Sequence, residues 1–114
     1  MNRDRVYVEY ALECVAKIRR YTAGGRDDFL RNDIVLDAVL RNLHTLAEST
    51  QRLSSGLKDT HPEVVWSDIA AFRNVIVHDY LGVDPVEVWT IVENDLPRLE
   101  KQLSALLPSL PAGA

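Results

Sequence analysis

The sequence predicts an all-α protein, a small up-and-down bundle of four main helices. Along most of its 114 residues, apolar side chains recur every three or four positions, as they do on the buried face of a helix. No stretch alternates apolar and polar residues in the way a half-exposed strand does. The connections between the apolar segments are short, which favours helices that run antiparallel to their neighbours. The length suits one domain of ordinary size.

The first helix is predicted over residues 3–21, because several apolar residues there share one helical face. These residues are Val8, Ala11, Leu12, Val15 and Ile18. Gly24 and Gly25 favour its end, since glycine accepts the left-handed backbone that often closes a helix. The second helix is predicted as one segment over residues 28–54. Its apolar stripe is broad, which indicates burial against more than one neighbour.

A capping pattern predicts the third helix. Residues 60–63, Thr-His-Pro-Glu, combine a capping box with a proline in the first turn. The third helix is therefore predicted from this point to about Tyr80. Residues 57–59 are interpreted as connecting chain between the second and third helices.

The same kind of pattern opens the fourth helix. Residues 84–87, Asp-Pro-Val-Glu, place an N-cap candidate before proline at the first helical position. Pro97 lacks a backbone donor, which predicts a kink near Glu93. Residues 111–114 are predicted to form a loose tail after the domain.

Composition narrows the classes of function. Lys and Arg number 13 and Asp and Glu 17, a formal net charge of −4. This argues against a basic surface that binds DNA, although a local cationic site remains compatible with it. Cys14 is the single cysteine, so no internal disulfide forms, and the charged N-terminus lacks the apolar run of a signal peptide. A cytoplasmic protein without membrane contact is expected, because its apolar runs are far shorter than about 20 residues.

Common catalytic and metal motifs are missing from the sequence. His44, His61 and His78 lie in different segments without metal-ligand spacing, so no metal site is predicted. There is no glycine-rich phosphate loop and no G-x-S-x-G motif. His44 and His61 are interpreted as surface or capping residues. Trp66 and Trp89 are interpreted as core residues.

The most distinctive segment is the octet at residues 73–80, Arg-Asn-Val-Ile-Val-His-Asp-Tyr. On a helix Asn74 and His78 share a face, whereas Arg73 and His78 lie about 140° apart around the axis. One copy of the helix therefore does not form a tight Arg–His pair. Two copies that cross about a two-fold axis can bring both sets of residues into one cleft.

Such a cleft suits cleavage of RNA without a metal. Histidine can take a proton from the 2′-hydroxyl or give one to the leaving oxygen. The guanidinium of arginine can hold the phosphate, and Asn74 can donate a further hydrogen bond. The 2′-hydroxyl is then the nucleophile, so the protein needs none of its own.

Simpler structural roles fit the same residues. His78 near the end of a helix is a cation favoured by the helix dipole by about 0.3–1 kcal/mol. Arg73 equally suits an ion pair with Glu48 or Asp37. Asn74 equally suits a hydrogen-bonded position in the core. The residues alone therefore leave a catalytic and a structural interpretation of the octet open.

The octet has the pattern Arg, four residues, His, one residue, Tyr, and so resembles the HEPN superfamily and, within it, the HepT-like toxins of HepT/MntA modules. The resemblance extends over residues 3–107, with residues 1–110 as the HEPN domain. It is also carried by Tyr21-Thr22, Asp37-Ala38-Val39, Glu48, Pro62, Trp66, Val83-Asp84 and Trp89. The chain departs from the family at residues 47–49, Ala-Glu-Ser in place of Gly-Glu-Ala, and at Val65, where proline is frequent.

The resemblance implies a homodimeric, metal-independent endoribonuclease, the toxin of a type II or type VII toxin–antitoxin pair. It assigns acid–base catalysis to His78, phosphate binding to Arg73 and an assisting role to Asn74, with Asp79 as an orienting or dimer-contact residue. The implied antitoxin is an MntA-like minimal nucleotidyltransferase that uses ATP and magnesium to transfer AMP to Tyr80. The toxin itself is expected to need no cofactor. The alternative is a non-catalytic binding subunit of a nucleotidyltransferase, and a third interpretation makes the octet a plain dimer contact.

Overall fold

The computed structural model describes residues 3–78 and 82–111 and, at Val75, Val77 and His78, the backbone alone. Seven α-helices follow one another in this part of the chain. They are α1 Asp4–Tyr21, α2 Gly25–Arg31, α3 Asp33–Gln51, α4 Ser55–Thr60, α5 Trp66–His78, α6 Pro85–Thr90 and α7 Leu96–Leu106. The described residues contain no strand. The predicted all-α class is therefore confirmed, although the predicted count of four helices is too low.

The core lies between the long helices. α1 packs along α3 over the most extensive contact in the fold, α3 also contacts α5, and α1 also contacts α7. The largest fully buried side chains come from four of the helices: Val8, Val15, Ile18, Phe29, Val39, Leu40, Leu43, Leu46, Leu103 and Leu106. Because α3 contacts both α1 and α5, its broad apolar stripe does serve more than one neighbour. The helix that carries the start of the octet, α5, therefore packs against α3.

The first helix ends as predicted, but the predicted second helix is divided in two. After a turn at residues 22–24, Gly25 starts α2. Its φ of +89° lies in the left-handed region that favours glycine. The break between α2 and α3 lies at Asn32, whose φ and ψ are −120° and 97°. The side-chain oxygen of Asn32 accepts hydrogen bonds from the backbone N–H of Ile34 and Val35. This asparagine therefore caps a new helix where periodicity alone predicts a continuous one.

We expect Asn32→Ala to lower the free energy of unfolding by about 1 kcal/mol, the usual cost of losing an N-cap. Urea denaturation followed by circular dichroism measures this difference. Asn94→Ala is the control, because Asn94 is exposed on the π-helical segment and an exposed substitution typically changes stability by less than about 0.5 kcal/mol. Equal stability of the Asn32 variant and the wild type would contradict the capping role.

A short helix occupies the predicted connecting chain. The side-chain oxygen of Ser54 accepts from the N–H of Leu57 and starts α4. Ser54 is held in turn by the carboxylate of Asp4, which accepts from its backbone N–H at 2.9 Å and from its hydroxyl at 2.6 Å. Asp4 is buried, at 4% exposed. The start of α1 is therefore tied to the start of α4 by a contact between residues 50 positions apart.

The third helix begins at Trp66, after the predicted start at residues 60–63. The predicted capping box does not form, because Thr60 is the last residue of α4 and not the N-cap of α5; its hydroxyl donates to the carbonyl of Leu57. The carboxylate of Glu63 contacts the ring of His61 at 3.0 Å. The segment before α5 is consequently a turn, closed by side-chain hydrogen bonds.

The predicted start of the fourth helix is confirmed. The carboxylate of Asp84 accepts from the N–H of Val86, and Pro85 is the first residue of α6. A π-helical segment, Ile91–Asp95, then joins α6 to α7 and includes the position of the predicted kink. In it the N–H of Leu96 bonds to the carbonyl of Ile91, five residues earlier, just before Pro97 interrupts the donor series. A 3-10 turn, Leu107–Ser109, follows α7. The predicted loose tail lies outside the described residues, apart from Pro111.

Candidate functional site

Three of the five predicted site residues lie on α5. Arg73 and Asn74 are in its second half, and His78 is the last residue of the helix. His78 is described by its backbone only, and Asp79 and Tyr80 lie outside the described residues. α5 is helical from Arg73 to His78, so the two residues have the helical spacing that argues against a tight pair within one copy.

Arg73 is bound to Glu48 of the neighbouring helix α3. The Nε of Arg73 donates to Oε1 of Glu48 at 2.8 Å, and its Nη2 donates to the same oxygen. The side chains are 26% and 35% exposed, so the ion pair is half-buried where α5 meets α3. Of the two ion-pair partners considered from the sequence for Arg73, Glu48 is the one found here.

His44 belongs to the same group of side chains. Its Nε2 lies 3.3 Å from Oε1 of Glu48, the oxygen that accepts from Arg73. The interpretation of His44 as a surface residue is correct for its exposure, 43%, but it misses this contact. The available signal is the spacing of His44 and Glu48, four residues apart on one helix, which places them as neighbours on its surface.

Asn74 lies at the exposed edge of the group. Its Oδ1 is 3.5 Å from Nη1 of Arg73, a long contact. Asn74 is exposed, so the alternative that it is a core residue is wrong. The site therefore consists of Arg73 and Asn74 from α5 with His44 and Glu48 from α3, and His78 follows one turn after Asn74.

The charges of the group are coupled. The hydrogen bond from Arg73 lowers the pKa of Glu48 below its ordinary value, partial burial opposes this change, and the charge of Arg73 and the contact with His44 lower the pKa further. Glu48 is therefore a carboxylate at neutral pH and offsets the charge of Arg73.

The lowered pKa of Glu48 predicts a loss of stability in acid. The folded state holds this pKa below the unfolded value of about 4.3, so the stabilisation is complete above that pH and is lost as the pH falls through the folded pKa. We expect the free energy of unfolding of the wild type to fall more steeply below about pH 4.3 than that of Glu48→Gln, because glutamine does not titrate. Urea denaturation at a series of pH values measures both slopes. Parallel slopes would contradict the coupling.

Two interhelical cavities of the described fold lie apart from this group. One of about 170 Å³ lies between α5, the π-helical segment and α7. A second, of about 180 Å³, lies between α3, α5 and α6. Phe72 and Ile91 line both cavities, and neither cavity includes any of the four side chains of the site. Within the described residues, no cluster of three or more His, Cys, Asp or Glu side chains can hold a metal ion. None of the described helices has the length and apolar character needed to span a bilayer.

The comparisons with known proteins agree with the family resemblance. The family model described as "Ribonuclease HepT-like" matches residues 11–106. A relative from Caldanaerobacter subterraneus subsp. tengcongensis, named a putative RNase, is 31% identical over 94% of this chain and 96% of its own. A relative from Thermococcus cleftensis, named probable ribonuclease HepT, is 31% identical over 88% of this chain and 92% of its own.

A third relative contains more than this domain. It comes from Methanocaldococcus jannaschii and is named gamma-glutamylcyclotransferase and putative RNase. It is 27% identical over 96% of this chain, which covers 50% of its length. The comparison with solved structures gives no match. The family match spans most of the chain, and the chain therefore belongs to the HepT-like ribonuclease family.

Proposed function

We propose that the protein is a metal-independent endoribonuclease and the toxin of a cytoplasmic toxin–antitoxin pair. The observation that carries this proposal is the intact octet within the HepT-like match over residues 11–106. Arg73 binds the scissile phosphate, Asn74 donates a further hydrogen bond, and His78 performs the acid–base work. Asp79 orients the octet or contacts the second copy.

The chemistry is transfer of the phosphodiester to the neighbouring 2′-oxygen. A base takes the proton of the 2′-hydroxyl, the oxygen attacks phosphorus, and the bond to the 5′-oxygen breaks as that oxygen receives a proton. The products are a 2′,3′-cyclic phosphate and a new 5′-hydroxyl. Histidine suits both proton transfers, because its ordinary pKa of about 6.5 leaves both forms populated near neutral pH.

The test is cleavage of total tRNA and of a long single-stranded RNA by the purified protein in EDTA. Cleavage that persists under chelation and leaves cyclic phosphate ends supports the proposal. An intact substrate favours the second candidate, a non-catalytic subunit that presents itself or a substrate to a nucleotidyltransferase. The observation that favours this second candidate is the Arg73–Glu48 ion pair, which gives the arginine a structural role without turnover.

The proposed enzyme is a homodimer whose two α5 helices cross. Within one helix, Arg73 and His78 are about 140° apart around the axis and about 7.5 Å apart along it. A two-fold axis between the copies presents the same patch twice and brings an Arg73 near a His78 of the other chain. Equal amounts of Arg73→Ala and His78→Ala protein, unfolded and refolded together, are then expected to regain activity that neither has alone. No regain in mixed dimers would contradict a shared cleft.

The proposed antitoxin is an MntA-like nucleotidyltransferase that transfers AMP from ATP, with magnesium, to the hydroxyl of Tyr80 and releases pyrophosphate. AMP two residues from His78 adds a phosphate and a nucleoside that compete with RNA for Arg73. Incubation with the partner and ATP is expected to add one AMP to the wild type and none to Tyr80→Phe, by mass spectrometry. Inhibition of Tyr80→Phe by the partner would instead indicate neutralisation by complex formation.

A further inference from the structure

Glu48 uses only one edge of the Arg73 guanidinium. A guanidinium carries five N–H groups in a planar fork, and the Glu48 carboxylate engages Nε and Nη2 through a single oxygen. The end of the fork is formed by Nη1 and the second hydrogen of Nη2. Its described contact is the long one of 3.5 Å from Nη1 to Oδ1 of Asn74, and Nη1 carries a further N–H group. Arginine can bind a phosphate through two parallel hydrogen bonds of this kind. The ion pair thus leaves a phosphate-binding edge.

We infer that Glu48 is a positioning residue of the ribonuclease: it holds the Nε–Nη2 edge of Arg73 so that the end of the guanidinium meets the scissile phosphate. The inference rests on the proposed function. His44 takes part by contacting the same oxygen of Glu48. The carboxylate is therefore fixed from its own helix by His44 while it fixes Arg73 of α5.

The ion pair between Arg73 and Glu48 is expected to contribute little to the stability of the fold. Exposed and partly exposed ion pairs typically contribute little to stability, and Glu48 is 35% exposed. Orientation of a catalytic group is worth more, since a displacement of about 1 Å can cost about 100-fold in rate. Arg73 and Glu48 lie on different helices, 25 residues apart, so their contact fixes the arginine relative to α3 as well as within α5.

The negative charge of Glu48 opposes the binding of RNA. A positioning role of Glu48 can therefore be distinguished from a role in attracting the RNA. A carboxylate beside the phosphate repels it, so removal of that charge should strengthen RNA binding or leave it unchanged. Loss of the negative charge also weakens the hydrogen bonds that hold Arg73. The arginine is then freer to move, which slows the chemical step. A positioning role thus predicts opposite effects of one substitution on affinity and on rate.

Arg19 and Glu100 provide a matched control. They form an ion pair between α1 and α7, with Nη2 2.7 Å from Oε1. Glu100 is 32% exposed, close to the 35% of Glu48. Glu100→Gln therefore removes the same charge from an interhelical pair of the same type, outside the octet.

The experiment measures two quantities for the wild type, Glu48→Gln and Glu100→Gln. These are the single-turnover cleavage rate in EDTA and the Kd of an RNA whose 2′-hydroxyls are methylated and cannot react. We expect Glu48→Gln to cleave at least about tenfold more slowly with an equal or tighter Kd. Glu100→Gln should match the wild type in both measurements. His44→Gln should slow cleavage less than Glu48→Gln does, while His61→Gln, which loses the comparable contact with Glu63, should not slow it.

A double-mutant cycle shows whether Glu48 acts through Arg73. If it does, Glu48→Gln should change the residual cleavage rate of Arg73→Ala by less than about twofold, because the group to be positioned is gone. A normal rate in Glu48→Gln overturns the inference. Equal slowing by Glu48→Gln and Glu100→Gln, or slowing that persists in the Arg73→Ala background, also overturns it. A wild type that cuts no RNA removes the proposed function itself, whereas a cutting wild type with a normal Glu48→Gln removes only the role of Glu48.

Discussion

Replacement of His78 by alanine is expected to lower the rate of RNA cleavage in EDTA by about 100-fold to 10,000-fold, the usual contribution of a general acid or base. Neither the proton of the 2′-hydroxyl nor that of the leaving oxygen then has a protein group to exchange with. The fold should persist, because a histidine at the end of α5 contributes at most about 1 kcal/mol through the helix dipole.

Single-turnover cleavage and thermal unfolding, measured on the same preparations, test this prediction. His61→Ala is the control, since His61 lies outside the octet, in the turn before α5, where it contacts Glu63. Loss of cleavage in the His78 variant alone, at an unchanged Tm, supports catalysis. Wild-type cleavage by His78→Ala would assign the histidine to helix capping. An equal drop in Tm and activity would assign it to the structure of the dimer.

The elements that apolar periodicity and proline define could be predicted from the sequence, and those that depend on side-chain hydrogen bonds could not. α1 and the start of α6 have the predicted bounds because their apolar faces, the glycine pair and Asp84-Pro85 act locally. The break at Asn32 depends on whether its amide bonds to the next turn or points to solvent. Thr60 ends α4 and does not cap the next helix, which its sequence pattern alone does not reveal.

The candidate site could be predicted in part for the same reason. The spacing of Arg73, Asn74 and His78 along one helix is local, and so is the neighbourhood of His44 and Glu48. The contact between the α5 residues and the α3 residues is not local, because it depends on how α5 packs against α3. The sequence therefore offered Glu48 and Asp37 as equal partners of Arg73. The packing of the two helices brings Glu48 into contact with Arg73, and His44 joins the group through Glu48.

Replacement of Arg73 by alanine is expected to slow RNA cleavage by about 100-fold to 1,000-fold, the typical loss when a donor that stabilises developing negative charge is removed. The phosphate then meets the carboxylate of Glu48 without the compensating charge of the arginine, so binding of the methylated RNA should weaken as well. Arg73→Lys should not restore the rate, because an ammonium cannot hold Glu48 along one edge and the phosphate along another.

Arg19→Ala separates this effect from the loss of an interhelical ion pair. Arg19 bonds Glu100 between α1 and α7, and its removal should leave cleavage unchanged. Both alanine variants should unfold within about 1 kcal/mol of the wild type, as expected for partly exposed ion pairs. Full activity in Arg73→Lys would show that the positive charge of residue 73 is sufficient and that an oriented guanidinium is not needed. Full activity in Arg73→Ala would leave the Arg73–Glu48 pair with a structural role only.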